Sequence, residues 1–447
     1  MTTQSDSPKL KRTLGPLMLW GLGVGYVISG MYFGWNLGLE KGGTLGLAVA
    51  TAFIIVMYLA FTFSYTELAC AIPRAGGAFD YGLRALGRDG GFLAGMAQNI
   101  EFVFAPPAIA FAIGAYLNLF LPGVPVVAIA IVAYLIFTGL NIYGVKAAAT
   151  FELFVTIVAV VELLIFAGAA WPGFAWEHMT HNALPNGWGG AFAAIPFAIW
   201  FFLAIEGVAN VAEETINPQR NVLIGFGAAI LTLVVLCLLT FGGAVGVAGW
   251  EAVVFPAPGE PASDSPLPLA LAQRLGEGHI LYTAVTSIGL FGLIASFHGI
   301  ILAGGRATFE FGRVGFAPAA LGRVHPRFQT PTNALLVNTA IGIMALLTGR
   351  TAEIITIACF GALTLYIVSM IALLRLRRQE PELERPFRVP GYPLVPIVAL
   401  VIASVALVAI TVYNLALAGI YLLLMGIAYA WFRWMTRGVA PVSDSPS

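Results

Sequence analysis

Ionisable side chains inside long apolar segments are the residues of this sequence that could carry chemistry. Glu101, Glu162, Glu206 and His298 each lie within such a segment. A charged side chain at the centre of a bilayer costs about 2.5–3.5 kcal/mol on insertion scales, so these residues usually face the protein interior and serve ions, protons or substrates. We therefore predict that Glu206, together with Glu101, contacts an ammonium group or carries a proton.

Three of these groups are candidates for coupling movement of a solute to a proton gradient. Such coupling needs a group that changes charge and is reached in turn from the two sides of the membrane. Glu162, Glu206 and His298 could each meet this requirement, and Glu162 is the most central in its segment. The alternative for each residue is a hydrogen-bonded contact between helices.

Two interruptions of the apolar pattern and an aromatic run surround these groups. The first apolar segment breaks at Ser29-Gly30-Met31, and the sixth breaks at Ile205-Glu206-Gly207. Discontinuous helices at corresponding places in two halves of a membrane protein mark a substrate site near the bilayer midplane. Trp200 precedes the second break and could bind an ammonium group by a cation–π contact of about 0.5–2 kcal/mol, or cover the site. The predicted substrate-binding residues are Ser29, Gly30, Met31, Glu101, Trp200, Ile205, Glu206 and Gly207.

Membrane-spanning helices are the elements that must position these residues. The 447 residues are 59% hydrophobic and only 10% charged, which is far more apolar surface than a soluble core could bury. A helix of roughly 20 apolar residues crosses a hydrocarbon core of about 30 Å. Twelve spans are predicted, at 16–38, 44–70, 91–121, 124–142, 148–171, 190–212, 221–249, 279–305, 332–349, 351–375, 391–413 and 415–435.

The distribution of basic residues predicts the orientation of these spans. Of the 22 Lys and Arg residues, all but Lys41, Arg274 and Arg350 fall in alternate connections. Basic connections stay in the cytoplasm, so both termini are expected there, in a multi-pass protein of the cytoplasmic (inner) membrane.

Acidic residues at the cytoplasmic end of the sixth span could form a gate. Glu213 and Glu214 precede Asn217-Pro218-Gln219-Arg220. A salt bridge from this acidic pair to Arg220, or to another arginine on the same side, would close the cytoplasmic end. A solvated helix end is the alternative.

Other classes of membrane protein fit the sequence less well. A channel needs a continuous polar path or a ring of charges, whereas the ionisable residues here are isolated. A membrane enzyme needs clustered catalytic or metal-binding residues, and the loop pair His178 and His181 is a weak signal for a metal. We expect no catalytic site, no cofactor, no bound metal and no nucleic-acid partner.

Several motifs resemble those of the amino acid, polyamine and organocation transporter superfamily. Its first-span signature resembles Gly23-Val24-Gly25 through Ser29-Gly30-Met31-Tyr32-Phe33, and its second-span and loop signature resembles residues 64–87. Its sixth-span aromatic and carboxylate, with the following Asn-Pro-x-Arg, resemble Trp200, Glu206 and 217–220. Within the superfamily, ethanolamine permeases are the most similar, through residues 25–30, 32–36, 101–107 and 296–301.

This resemblance implies an all-α fold of five plus five inverted repeats, the leucine-transporter type, with broken first and sixth helices and two extra helices. It implies alternating access around the two broken helices. The expected organisation is an N-terminal cytoplasmic tail (1–15), a transport core (16–375, with repeats at about 16–171 and 190–375), two accessory helices (391–435) and a C-terminal tail (438–447).

Two departures from the family pattern bear on coupling and substrate. Many members carry a lysine in the fifth span, and the matching position is Ala159, so Glu162 becomes the candidate replacement. The ethanolamine branch usually has Glu after Ser-Gly, whereas this sequence has Met31, which makes a zwitterionic substrate credible.

We therefore expect a permease for a small amine such as ethanolamine, working by proton-coupled import or exchange, with sodium less favoured. A small neutral amino acid is the alternative substrate.

Overall fold

The computed structural model describes residues 12–144 and 148–436. Within these ranges the chain is helical and contains no β-strand, which confirms the predicted all-α class. Three parts of the prediction lie outside the described residues: residues 1–11 of the N-terminal tail, the whole C-terminal tail (438–447), and four of the basic residues used to predict orientation, Lys9, Lys11, Lys146 and Arg437.

Nine described helices lie in the first half of the chain. They are α1 Pro16–Val27, α2 Ser29–Tyr32, α3 Asn36–Ala71, α4 Ala78–Asn118, α5 Val126–Tyr143, α6 Ala148–Ala170, α7 Trp176–Thr180, α8 Gly187–Ala193 and α9 Ile195–Trp200, with a 3-10 helix at Trp171–Gly173 between α6 and α7.

The second half begins with a 3-10 helix, Ile205–Glu214, and continues with eight described α-helices. They are α10 Pro218–Ala248, α11 Trp250–Val254, α12 Pro266–Leu275, α13 Ile280–Arg313, α14 Thr332–Leu346, α15 Thr351–Gln379, α16 Leu394–Tyr413 and α17 Leu415–Met435.

The helix lengths agree with a protein of twelve membrane spans. Ten helical segments of the described chain are long and apolar enough to cross a bilayer. The shorter apolar helices α1 and α14 occupy the first and ninth predicted spans. Hereafter the N-terminal side is the side of the membrane where α1 begins at Pro16, and the far side is the opposite one.

The first span is interrupted on both sides of the stretch that the sequence indicated. Helix α1 ends before Ile28, and Phe33 is extended with Gly34 at φ +87°. The predicted break at Ser29-Gly30-Met31 is therefore wrong in detail, because these residues form most of the single turn α2 between the two interruptions.

A serine from α13 explains the first interruption. In a continuous helix the Ser29 N–H would donate to the Gly25 carbonyl. Instead it donates to Ser296 Oγ at 3.0 Å, and the Ser296 hydroxyl donates to the Gly25 carbonyl at 2.6 Å. Ser296 thus replaces one hydrogen bond of the helix and satisfies both freed backbone groups.

The sixth span is interrupted at residues 201–204, immediately before the predicted break at Ile205-Glu206-Gly207. Helix α9 ends at Trp200, and Ala204 has a left-handed backbone with φ +75°. Ile205, Glu206 and Gly207 begin the 3-10 helix instead. The physical reason is that Glu101 of α4 accepts the Ala204 N–H at 3.1 Å and holds the turn.

A buried ion pair joins three segments at the N-terminal side. Glu67, which is 0% exposed, accepts hydrogen bonds from Arg377 at 2.6 and 2.7 Å and from the Val389 N–H at 2.7 Å. Arg385 lies 3.4 Å from the same carboxylate. The cluster connects the end of α3 with the end of α15 and with the segment that leads into α16.

Replacing this carboxylate should destabilise the fold. In Glu67→Gln, two arginines lose their anionic partner in a mostly buried setting, which costs about 3 kcal/mol. We expect a clearly lower midpoint of thermal unfolding in detergent. The control is Glu380→Gln, which removes the salt bridge between Glu380 and Arg84. These side chains are 33% and 41% exposed, so losing the salt bridge should cost under about 1 kcal/mol of stability. Equal shifts for the two variants would contradict the assigned role of Glu67.

Candidate functional site

The two interrupted spans touch each other through their backbones. A Cβ atom placed on Gly30 would lie 2.4 Å from the Trp200 carbonyl oxygen and 3.1 Å from Phe201 Cα. Real Cβ atoms do not approach a carbonyl oxygen so closely, so this contact requires glycine at position 30. The close approach brings the interruption of the first span against that of the sixth.

A small cavity lies between the interruptions. Its free volume, about 10 Å³, is room for about one water molecule, so the packed arrangement must open to admit a solute. Among the predicted substrate-binding residues, Ser29 and Trp200 line it. The remaining lining residues are Tyr26, Val27, Ala105, Leu203 and Ile300.

Packed aromatic rings close the cavity toward the far side. Trp200 meets Phe33 edge to face at a centroid distance of 5.4 Å, and Trp35 stacks on Phe201 at 5.7 Å. Trp35 also donates its indole N–H to the Met31 carbonyl at 3.1 Å. The Met31 side chain is buried and does not line the cavity, so the observed contact of this residue is the one from its backbone carbonyl to Trp35.

A loop before α12 fastens this cover from outside. The Asn36 amide donates to the Ser263 carbonyl at 2.8 Å, and the Thr351 hydroxyl donates to Asp264 at 3.0 Å. Burial raises the pKa of Asp264 from 3.8 to about 6. Because a raised carboxyl pKa favours the protonated form, docking of this loop is strongest below about pH 4 and weakens as the pH rises through 6.

Tyr26 forms the floor of the cavity. Its ring lies between the 3-10 helix and α13, where Cβ atoms on Gly207 and Gly299 would fall 2.8 and 2.6 Å from opposite ring edges. On the N-terminal side of this floor lies a second, larger cavity of about 20 Å³, lined in part by Gln98 and Asn210. Tyr26 lines the small cavity but not the larger one.

The predicted gate residues lie near the mouth of the larger cavity, with a different partner. Glu214 pairs with Arg306 at 3.5 Å, and Arg306 lines the cavity. In the described part of the chain, Glu213 and Arg220 form no ion pair. Arg306 comes from α13, about 90 residues away in sequence, which is why the local motif suggested Arg220.

The structure brings Glu101 and Glu206 together. Both are fully buried, and their carboxyl groups are neighbours, with no hydrogen-bond partner for Glu101 Oε2 or Glu206 Oε1 among the described residues. Two neighbouring buried carboxylates cannot both ionise without a large energetic cost, so we infer that the pair holds a proton. The pair does not line the small cavity but lies behind the Leu203–Ala204 backbone, where Glu101 accepts the Ala204 N–H.

Two tyrosines extend this pair across the interruption of the sixth span. The Tyr366 hydroxyl donates to Glu206 at 3.0 Å and lies 3.1 Å from the Tyr58 hydroxyl. Tyr58 in turn donates to the Ile199 carbonyl at 3.4 Å. The chain of groups thus connects both ends of the interruption. Neither tyrosine could be singled out from the sequence, because a tyrosine inside an apolar span is ordinary.

The other two coupling candidates lie in separate surroundings. Glu162 is hydrogen-bonded by the Tyr32 hydroxyl, which is also 3.1 Å from the Ala159 carbonyl. The His298 ring packs between Phe137 and Phe151, at centroid distances of 6.2 and 6.4 Å. Neither residue lines either cavity.

A further buried carboxylate, Glu152 of α6, was not singled out from the sequence. It is 3% exposed and lies against Gly25 of α1, the residue bridged by Ser296. The signal that could have found it is the same one that indicated Glu162, a carboxylate within an apolar span.

Comparison with known proteins gives a family and a fold. A family model described as "Amino acid permease" matches residues 14–438. An uncharacterised transporter of Rhizobium meliloti is 27% identical, over 91% of this chain and 88% of its own length. A branched-chain amino acid permease of Bacillus subtilis is 25% identical, over 88% and 86%. The crystal structure of a mutant manganese transporter from Eremococcus coleocola superposes with a TM-score of 0.60 at 14% identity, covering 97% of this chain and 99% of that one, which shows the same fold.

The backbone contact at Gly30 gives a direct test of the site. In Gly30→Ala the added methyl group would collide with the Trp200 carbonyl, so the two interruptions must separate and the aromatic cover must shift. We expect solute transport to fall at least about tenfold while the protein remains folded, since the clash disturbs the closed state. The control is Gly139→Ala, where an added Cβ has open space within 4 Å. Transport rates in vesicles, with thermal unfolding of each variant, decide the outcome. Wild-type transport by Gly30→Ala would show that the contact is not needed.

Proposed function

The chain belongs to the amino acid permease family, and on that premise we propose that it imports a small amine such as ethanolamine by alternating access. The observation that carries the proposal is the pocket between the two interrupted helices, which Ser29 and Trp200 line. A pocket between broken helices is where a carrier of this kind binds its solute. The cavity is closed on both sides in this structure, as an occluded state of such a carrier requires.

The lining residues suit an ammonium group attached to a short polar chain. The rings of Trp200 and Tyr26 face the cavity and can contact a cation by cation–π interaction, worth about 0.5–2 kcal/mol each. The Ser29 hydroxyl, which makes no hydrogen bond with another described side chain or backbone group, can bind a solute hydroxyl. The Glu101–Glu206 pair adds negative charge behind the cavity wall whenever it holds only one proton.

A small neutral amino acid is the second candidate substrate, for a specific reason. Leu203 lines the cavity, and its backbone N–H has no hydrogen-bond partner among the described residues. A free N–H at a helix interruption is a suitable donor for a substrate carboxylate. The similar Bacillus subtilis protein is named a branched-chain amino acid permease, which also favours this class.

The aromatic cover on one side of the small cavity and Tyr26 on the other side support a route for import. By the distribution of basic residues, the N-terminal side is the cytoplasmic side of an inner membrane, and both termini lie there. Opening of the aromatic cover and the Asp264 loop would admit the solute from outside. Movement of Tyr26 would release it into the larger cavity, whose mouth carries the Glu214–Arg306 pair.

Uptake into proteoliposomes tests the proposal. Labelled ethanolamine and labelled alanine are offered separately under an inward proton gradient, an inward sodium gradient and no gradient. We expect the proton gradient to drive accumulation of ethanolamine. Accumulation of alanine alone would select the second candidate, and vesicles preloaded with unlabelled solute test for exchange. If neither solute moves in any of these conditions, the proposal is rejected.

Loss of the proton that the Glu101–Glu206 pair holds should stop transport. Glu206→Gln keeps the shape and the contact with Tyr366 but cannot exchange a proton with Glu101. We therefore expect the initial uptake rate to fall by at least about 100-fold, the scale on which a positioned proton-transfer group acts. Glu177→Gln in the exposed helix α7 is the matched control. Amount of protein in the vesicles and thermal unfolding are measured for both. Unchanged uptake kinetics in Glu206→Gln would remove this residue from the mechanism.

A further inference from the structure

We propose that Glu152, rather than Glu162 or His298, carries the proton whose movement is coupled to solute import. The inference deepens the proposed function and rests on it. Glu152 is 3% exposed, and its Oε1 atom has no hydrogen-bond partner in the described part of the chain. The described ion pairs do not include it.

Three helices converge on this carboxyl group. A Cβ atom on Gly25 of α1 would lie 2.5 Å from Glu152 Oε1, and one on Gly299 of α13 would lie 3.5 Å from the same oxygen. Thr156, one turn along α6, is 2.7 Å from the Gly25 position, and its hydroxyl donates to the Gly21 carbonyl at 3.1 Å. Glu152 thus lies where α1 is held against both α6 and α13.

The Glu152 carboxyl group lies next to the Ser296 hydrogen bonds that interrupt the first span. The Gly25 carbonyl, beside Glu152, accepts the Ser296 hydroxyl that also receives the Ser29 N–H. Ser29 lines the small cavity. A movement that separates α1 from α6 and α13 would therefore change the surroundings of Glu152 and the shape of the cavity together.

Within the described ranges, the titratable and charged groups of α1, α13 and α6 form no ion pair with Glu152. On α1 the nearest is Tyr26, which packs along Gly207 and Gly299. On α13, His298 packs against Phe137 and Phe151, and Arg306 pairs with Glu214. On α6 itself, Glu162 lies ten residues further along, or about 15 Å at 1.5 Å per residue.

This setting makes the proton and the helix packing depend on each other. An ionised carboxylate buried without a cation or donor costs several kcal/mol, so the packed arrangement requires Glu152 to be protonated. Separation of α1 would admit water and permit release of the proton. By reciprocity, a proton taken up by Glu152 favours return to the packed, occluded arrangement.

The other buried carboxyl groups are less suited to this role. Glu162 already accepts a hydrogen bond from Tyr32. Glu101 and Glu206 hold a proton as a pair and fix the sixth span through Ala204 and Tyr366. For Glu162 and for the Glu101–Glu206 pair, a hydrogen-bond donor offsets the cost of burying a charge. Their ionisation therefore depends less on whether α1 moves.

The test separates driven accumulation from exchange. Proteoliposomes hold the wild type, Glu152→Gln or the matched control Glu162→Gln, with membrane potential clamped at zero and an inward gradient of one pH unit. A solute coupled to one proton can accumulate up to about tenfold in such a gradient. We expect accumulation by the wild type and by Glu162→Gln, and none by Glu152→Gln. Counterflow exchange by Glu152→Gln should stay within about twofold of wild type and lose its dependence on pH.

Each outcome is decisive. If the wild type accumulates and exchanges no solute, the proposed function fails and the inference falls with it. If the wild type works and Glu152→Gln accumulates solute normally, only the inference fails. If Glu152→Gln loses both activities, solute binding to the purified variant is measured across pH. Binding that is retained and independent of pH supports the inference. Binding that is lost, or that keeps the pH dependence of the wild type, overturns it.

Discussion

Backbone groups released inside a membrane must find partners within the protein, and this requirement governs the centre of the structure. Lipid offers no hydrogen bonds, so irregular backbone at membrane depth exists only where it is buried in protein or lines a cavity. The first span meets the requirement through Ser296, which bridges Gly25 and Ser29. The sixth span meets it through Glu101, which accepts the Ala204 N–H. In both cases the partner is a side chain from another helix.

That arrangement links each interruption to the packing of the helix that supports it. The bridge from Ser296 depends on the distance between α1 and α13, and the bond from Glu101 depends on the distance between α4 and the sixth span. A rigid movement of one group of helices against another would break or remake these bonds at the cavity itself. The structure therefore couples global rearrangement to a small number of local hydrogen bonds, as alternating access requires.

The sequence indicated the architecture well because its strongest signals are local in the chain. Span length, basic residues in alternate connections and the motifs around Ser29 and Glu206 predicted the helical class and two broken helices. The breaks themselves were displaced by a few residues. The left-handed residue of the sixth span is Ala204, which has no glycine-like signature, and the first interruption is set by Ser296, about 270 residues away. The partner of Glu214 is Arg306, which falls under the predicted alternative of another arginine on the same side; the local motif could not single it out because it lies about 90 residues away.

Among the described residues Glu152 accepts no hydrogen bond, whereas Glu101, Glu162 and Glu206 each accept one at one of their two oxygens, and only the fold could show this difference. In sequence, Glu152 and Glu162 are alike, since each is a lone carboxylate in the apolar segment that forms α6. In the structure, Glu162 is hydrogen-bonded by Tyr32, whereas Glu152 faces the bare backbone of Gly25. A group that already has a donor changes little in energy when its helix neighbours move by a small distance. For Glu152, the cost of ionisation depends strongly on the packing of α1 against α6 and α13. When these helices separate, water reaches the carboxyl group and can solvate its charge, so the group no longer needs its proton. The coupling of a proton to movement of the first span therefore follows from the missing partner rather than from depth in the membrane.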